Sequence, residues 1–180
     1  GICYIEIENY PAASVSSLLL EEALLWELES RLLLVYLGRP HHSSSVHQEV
    51  IERLESSAAY RRHLEPLRDC AVRGKEALLQ NDLSTFGRIM IENTDAQAAL
   101  HPNLISDRAQ AVIEAARKAG ASGWKVNGAS GEGGSITLLL PSSLARKHAF
   151  AEKLRATIPE ACTLLPIQLA PNGLRRWRSR

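Results

Sequence analysis

A glycine-rich segment between two strand-like segments constrains the fold of this chain more than any other feature. Four of the seven residues from Gly128 to Gly134 are glycine. Because glycine loses more chain entropy on folding than other residues, such a cluster is typical of a loop that needs positive φ angles or a close backbone approach. The flanking segments, Gly123–Asn127 and Ser135–Leu140, have the apolar and β-branched residues of strands. The pattern predicts two strands joined by a glycine-rich connection.

This connection has two interpretations. Its backbone can cradle an anion or a substrate, or it can be a wide hairpin connection, and the residues alone do not decide between them. Two phosphate-binding motifs are excluded. The sequence contains no lysine followed by serine or threonine, which a Walker loop requires, and a strand follows the glycines where the dinucleotide fingerprint needs a helix.

The rest of the chain indicates an α+β domain. The apolar run Leu32–Leu37 suits a strand buried on both faces. Helical periodicity follows it, and the clearest helix begins after the capping residue Ser106 and ends at Gly120. Strands at both ends with helices between them predict a small antiparallel sheet with helices packed on one face. No repeat or low-complexity segment divides the chain, so residues 1–180 are predicted to form one domain.

Charge and cysteine content exclude several classes of protein. The net charge is +1, from 21 basic and 20 acidic residues, and the basic tail Arg175–Arg180 is too short to hold a nucleic acid. No apolar run is long enough for a membrane span. The three cysteines Cys3, Cys70 and Cys162 are widely spaced, which favours reduced thiols and a cytoplasmic location.

Asn93 is a further candidate for a ligand-facing side chain. It lies on a predicted helix from about Asp82 to Leu100, on the same stripe as Phe86 and Met90, where a polar group needs a partner. It faces a ligand cleft or, as these residues favour, forms an internal hydrogen bond to a neighbouring loop. No catalytic residue and no metal site is predicted. The histidines lack the helical spacing and supporting carboxylate of a metal site: His41, His42 and His47.

Several segments resemble the C-terminal half of sugar kinases of the GHMP superfamily. Residues 123–139, with the sequence GWKVNGASGEGGSITLL, are similar to the third motif of that superfamily, a strand, a glycine-rich loop and a strand. Other segments resemble the branch that contains the D-glycero-D-manno-heptose phosphate kinases: Glu27–Leu34, Leu37–Arg39, Phe86–Met90, Glu92–Asn93, Leu100–Pro102 and Ala115–Gly120.

The resemblance implies a ferredoxin-like GHMP kinase C-terminal domain without its N-terminal ATP-binding domain. The complete kinase is expected to use ATP and Mg²⁺ to phosphorylate a hydroxyl of a sugar or sugar phosphate. The ligands of both cofactors are expected mainly in the N-terminal half, which makes an N-terminal kinase domain or subunit the expected partner.

The resemblance also assigns a role to the glycine-rich connection. Six residues are expected to contact the substrate or the phosphate loop: Gly128, Ala129, Ser130, Gly131, Gly133 and Gly134. The chain alone is then expected to be inactive as a kinase. The alternative is a noncatalytic small-molecule-binding or interaction domain with the same fold.

Overall fold

The computed structural model describes residues 1–38, 44–128, 133–141, 144–158, 162–170, 173 and 177–178, and at residues 44–45 and 144–146 it describes the backbone only. Short 3-10 helices lie at Arg62–Leu64 and Pro102–Leu104. The strands and α-helices in these ranges are β1 Cys3–Asn9, β2 Ala12–Ser17, α1 Glu22–Arg31, β3 Leu32–Tyr36, α2 Ser44–Ser56, α3 Ala58–Arg61, α4 Glu65–Leu79, α5 Leu83–Leu100, α6 Asp107–Ala119, β4 Gly123–Asn127, β5 Ser135–Leu139, α7 Leu144–Arg155 and β6 Thr163–Leu165.

Four of the strands form one antiparallel sheet in the order β4-β5-β3-β6. Along the chain, β3 is followed by helices, then by β4 and β5, then by α7 and β6. If α6 is taken as the first crossover helix, this is the βαββαβ order of a ferredoxin-like fold, with α2 to α5 inserted before α6. The predicted α+β class and small antiparallel sheet are confirmed.

One face of the sheet packs against α6 and α7. Val35, Val126 and Ile136 lie on this face and are fully buried with Val112 of α6 and Leu154 of α7. The predicted ends of α6 are confirmed as well. The hydroxyl of Ser106 accepts a hydrogen bond from the amide of Ala109, and Gly120 ends the helix in the left-handed conformation at φ 92°.

The opposite face of the sheet is partly covered, which the prediction of helices on one face did not include. Leu32 and Leu139 lie on this face and pack against side chains of α1, α4 and α5, among them Leu28, Leu78 and Met90. Helical periodicity shows that a helix has an apolar face, but it does not show which layer that face contacts. The position of α1, α4 and α5 on the second face therefore follows only from the three-dimensional structure.

Helix α5 lies against the edge strand β4 and occupies its free hydrogen-bonding groups. The buried hydroxyl of Thr94 is 3.2 Å from the carbonyl oxygen of Trp124 and accepts from the amide of Val126 at 3.3 Å. The backbones also meet directly, because a Cβ atom added at Gly87 would lie 2.6 Å from the carbonyl oxygen of Ser122. This contact protects the edge strand and fixes α5 beside the glycine-rich connection.

Strands β1 and β2 form a separate two-stranded antiparallel sheet. Three apolar side chains of this hairpin are each about 60% exposed: Ile5, Ile7 and Val15. Among the helices that the structure describes, none combines the length and apolar character needed to cross a membrane.

Candidate ligand-binding site at the glycine-rich connection

The glycine-rich segment connects β4 to β5 as a hairpin. Asn127 pairs with Ser135, so the two residues that enter and leave the connection are Gly128 and Gly134. Their φ angles are 66° and 92°, in the left-handed region that favours glycine. The hairpin interpretation is therefore correct for the connectivity. Whether the connection also cradles a ligand stays a prediction.

Three of the six predicted contact residues belong to the described part of the connection: Gly128, Gly133 and Gly134. Gly133 is buried, and Gly134 is half-buried. Ala129, Ser130 and Gly131 lie outside the described residues, so their predicted contacts remain predictions.

Both ends of the connection are fastened to neighbouring elements. The side-chain amide of Gln97 on α5 donates a hydrogen bond to the carbonyl oxygen of Gly128 at 3.1 Å. The backbone amide of Leu37, just after β3, donates to the carbonyl oxygen of Gly134 at 2.9 Å. The connection therefore begins and ends at defined positions, which a ligand-binding loop needs.

Lys125 extends this hydrogen-bond network. Its ammonium group donates to the side-chain oxygen of Gln97 at 3.1 Å and to the carbonyl oxygen of Val126 at 2.8 Å. Gln97 thus links a half-buried cation to the first residue of the glycine-rich connection. Burial lowers the pKa of Lys125 below its ordinary value, because the charged form loses hydration there.

The sheet face opposite α6 and α7 is polar at the end that the other helices leave uncovered. Strand alternation puts Lys125 and Asn127 of β4 on this face, with Ser135 and Thr137 of β5 opposite them. The amide nitrogen of Asn127 donates to the hydroxyl oxygens of Ser135 and Thr137 at 3.1 and 3.0 Å. All four residues are half-buried, so they form a hydrogen-bonding surface beside the glycine-rich connection.

A cavity of about 280 Å³ adjoins this surface. Its exposed lining is almost entirely apolar, and Lys125, Asn127 and Thr137 are the polar residues that border it. The remaining lining residues are apolar and come from the N-terminal strand region, α1, β3, α4, α5 and the C-terminal segment: Ile2, Leu28, Leu32, Leu78, Phe86, Met90 and Leu169.

Asn93 lies beside the cavity but does not line it. It is half-buried and, by helical spacing, lies between Met90, which lines the cavity, and Gln97. No hydrogen bond joins its side chain to another described residue. The internal bond to a loop that the stripe predicted is made by Gln97, one turn further along α5. The cleft role of Asn93 stays a prediction.

The sequence alone did not assign roles to Lys125, Asn127, Thr137 and Gln97. Alternation along β4 places Lys125 and Asn127 on the same face, and the sequence is enough to predict this. The sequence does not predict the contact with Gln97, because that contact depends on how α5 lies along β4.

Comparison with known protein families finds a match to one segment of the chain. Residues 75–160 match the family model of the C-terminal domain of GHMP kinases. This part of the chain is a GHMP kinase C-terminal domain. It contains α5, α6 and the β4–β5 hairpin, so the glycine-rich connection and the network of Gln97 and Lys125 are features of this GHMP domain.

Solved structures extend the likeness to most of the chain. The mevalonate kinase of L. major, in complex with R-mevalonate, is similar with a TM-score of 0.74 and 22% identity, over 91% of this chain and 47% of that one. A D-glycero-D-manno-heptose 1-phosphate kinase of Bacteroides thetaiotaomicron gives 0.61 and 23%, over 93% and 42%. Phosphomevalonate kinase of Streptococcus pneumoniae gives 0.62 and 17%, over 88% and 44%.

These TM-scores establish the shared fold. A sequence search of curated proteins finds no match to the chain. The chain spans less than half the length of each of the three kinases named above.

Proposed function

We propose that this chain is the C-terminal half of an ATP-dependent kinase that phosphorylates a hydroxyl group of a sugar or sugar phosphate. The observation that carries the proposal is the GHMP domain itself, with its glycine-rich connection fastened at Gly128 and Gly134 to two different elements. In this proposal residues 1–180 are one domain, and the chain alone is inactive.

The connection acts by position and backbone groups. Its glycines let the backbone approach a bound substrate or phosphate group, since a side chain at those positions would separate them. Gln97 and Leu37 hold the two ends in place, so the backbone is oriented before the ligand arrives. Gly128, Ala129, Ser130, Gly131, Gly133 and Gly134 are the proposed contacts, with Asn93 as a cleft residue.

ATP supplies the phosphoryl group in this proposal, and Mg²⁺ accompanies it. The described residues do not form a site for the metal, because no three of their His, Cys, Asp or Glu side chains lie together. We therefore assign the metal ligands and most ATP contacts to an N-terminal domain or subunit, which the length of the related kinases supports. A cytoplasmic location is part of the proposal, since the three cysteines are free thiols.

The sugar substrate class rests on the likeness to a heptose 1-phosphate kinase. Other neighbours are mevalonate and phosphomevalonate kinases, so the assay must include their substrates as well.

The second candidate function is a noncatalytic small-molecule-binding domain. The cavity of about 280 Å³ beside β4 favours it, because several elements of the fold enclose a largely apolar space, as in small-molecule sites. Such a domain is expected to bind its metabolite without ATP and without a partner.

Phosphate transfer measured with and without the N-terminal half distinguishes the two candidates. The gene is expressed in full, together with any separately encoded N-terminal half, and ATP consumption is followed with heptose phosphates, hexoses, mevalonate and phosphomevalonate. We expect turnover with a sugar or sugar phosphate only when both halves are present. Gly128→Val is expected to reduce turnover, because a β-branched residue is strained at φ 66°. Gly120→Asn, at another left-handed position remote from the connection, is the matched control.

A further inference from the structure

The hairpin of β1 and β2 has an apolar face that the described part of the chain leaves uncovered. Cys3, Ile5 and Ile7 alternate onto one face of β1, and Val15 of β2 pairs with Ile5 on that face. The Cys3 thiol is exposed, and the other three side chains are each about 60% exposed. We call these four residues the outer face. A group of exposed apolar side chains on one face is typical of an interaction surface.

The opposite face of the hairpin is polar and is turned toward the rest of the chain. Tyr4 lies on it, half-buried, and the centre of its ring is 4.0 Å from the ammonium nitrogen of Lys75 on α4. The next pair on this face is Glu6 and Ser14. Antiparallel sheets usually pack their apolar face on a core and leave the polar face in water. Here the apolar face points away from the chain, so the alternation indicates a partner surface outside the described residues.

The hairpin is anchored at its base. The amide of Leu18 donates to the carbonyl oxygen of Ile2 at 2.9 Å, and both residues pack against the buried cluster that contains Leu28. Beyond this base, all residues from 5 to 17 are exposed, and β1 and β2 pair only with each other among the described strands. A lone two-stranded hairpin is marginally stable in water and becomes stable when one face is packed. The base therefore holds the outer face in place, and packing by a partner would stabilise it.

The likeness to longer chains indicates which partner covers the outer face. A protein of Campylobacter jejuni has a TM-score of 0.63 at 18% identity, over 97% of this chain and 47% of that one. The match leaves out about 3% of the 180 residues, or about 5 residues, which is fewer than the seven of β1 alone. Most of the hairpin is thus part of a fold that is shared with a chain more than half of which lies outside the match. The model of the GHMP kinase C-terminal domain, at residues 75–160, does not include the hairpin.

We infer that the outer face docks on an apolar surface of the N-terminal half and forms part of the interface between the two halves. The inference rests on the proposed function, because that half is the partner proposed there. The hairpin lies outside the C-terminal family model and within the fold of longer chains, which favours the N-terminal half over a second copy of this chain.

Cys3 reports directly on this interface, because its thiol lies on the outer face. The experiment is alkylation with iodoacetamide, followed at each cysteine by peptide mass spectrometry, for the 180-residue chain and for the kinase with both halves. We expect Cys3 to react at least about tenfold more slowly when both halves are present, since a covered thiol is inaccessible to the reagent. Cys162 packs against the buried cluster of α6 and α7 and is the internal reference, with a rate expected to change less than about twofold. An equal rate at Cys3 with and without the N-terminal half overturns the inference.

Two matched double variants locate the contact on the outer face. Ile5→Thr with Val15→Thr replaces the directly opposed apolar pair and keeps β-branched residues in both strands. In the complete kinase it is expected to raise the Cys3 rate at least about fivefold over the wild type, each rate being normalised to that of the corresponding 180-residue chain. Glu6→Thr with Ser14→Thr makes the same replacement one residue along, on the polar face, and is expected to leave the rate within about twofold. Equal effects of the two double variants contradict the assignment to the outer face.

The chain alone tests a second copy as the occupant. Sedimentation velocity at increasing protein concentration is expected to show a monomer, with a Cys3 rate that does not depend on concentration. A dimer in which Cys3 is protected, and which Ile5→Thr with Val15→Thr dissociates, assigns the outer face to a second copy and overturns the inference.

The phosphate-transfer assay keeps this result separate from the proposed function. If turnover needs both halves but Cys3 stays fully reactive, the halves meet elsewhere and only the inference fails. If the N-terminal half protects Cys3 but no hydroxyl compound is phosphorylated, the interface stands and the proposed kinase function fails.

Discussion

The contact between α5 and β4 predicts that Gly87→Ala destabilises the domain, although alanine is the better helix former. A Cβ atom at Gly87 would lie 2.6 Å from the carbonyl oxygen of Ser122, and ordinary van der Waals contact begins at 3.4 Å. Helix α5 must therefore move away by about 0.8 Å. Overpacking of this kind costs about 1–3 kcal/mol, and the gain in helix propensity offsets about 0.5–1 kcal/mol. The expected net loss in free energy of unfolding is about 1–2 kcal/mol.

Calorimetry or urea titration measures this loss, and a Tm about 2–8 °C lower is expected for a domain of this size. Gly74→Ala on α4 is the matched control. A Cβ atom there would meet only side-chain atoms at 3.8 and 3.9 Å, so this variant is expected to gain about 0.5–1 kcal/mol. If both variants are stabilised equally, the close contact of α5 with β4 is refuted.

Three other predictions concern the elements that hold the site. Thr94→Val leaves the buried amide of Val126 without its acceptor and is expected to cost about 1–3 kcal/mol in urea titration, whereas Thr94→Ser, which keeps the hydroxyl, costs less. Ser106→Ala removes the cap of α6 and is expected to lower the free energy of unfolding by about 1 kcal/mol, and an unchanged Tm would count against this capping role. Hydrogen bonds from Thr85 lower the pKa of Asp82, so the stability that this carboxylate contributes is present above its ordinary pKa of 3.8 and is lost as the pH falls through the folded-state pKa. The stabilities of the wild type and Asp82→Asn, followed by circular dichroism, are therefore expected to converge below about pH 4, and a constant difference across this range would contradict the assignment.

Local sequence signals predicted the elements well. The cap at Ser106 and the left-handed end at Gly120 are both present, because each acts within a single turn of helix. The strands on either side of the glycines are also as predicted, and they pair directly. These features depend on residues that are close together in the sequence, so local sequence patterns are enough to predict them.

The candidate site was predicted less completely. The glycine-rich connection was found because four glycines in seven residues have few structural uses. The internal hydrogen bond to a loop was expected from Asn93, whereas Gln97 makes it, and its partner Gly128 is 31 residues away. The close passage of Gly87 against Ser122 brings them together, and no local pattern specifies that crossing.

We propose that this chain completes a kinase by adding the glycine-rich connection to an N-terminal half. Its most direct test is ATP-dependent phosphate transfer to a sugar or sugar phosphate, measured with the N-terminal half alone, with this chain alone and with both. We expect turnover only with both halves, and a reduced rate when this chain contains Gly128→Val. Turnover by the N-terminal half without this chain, or no turnover by the two together, would contradict it.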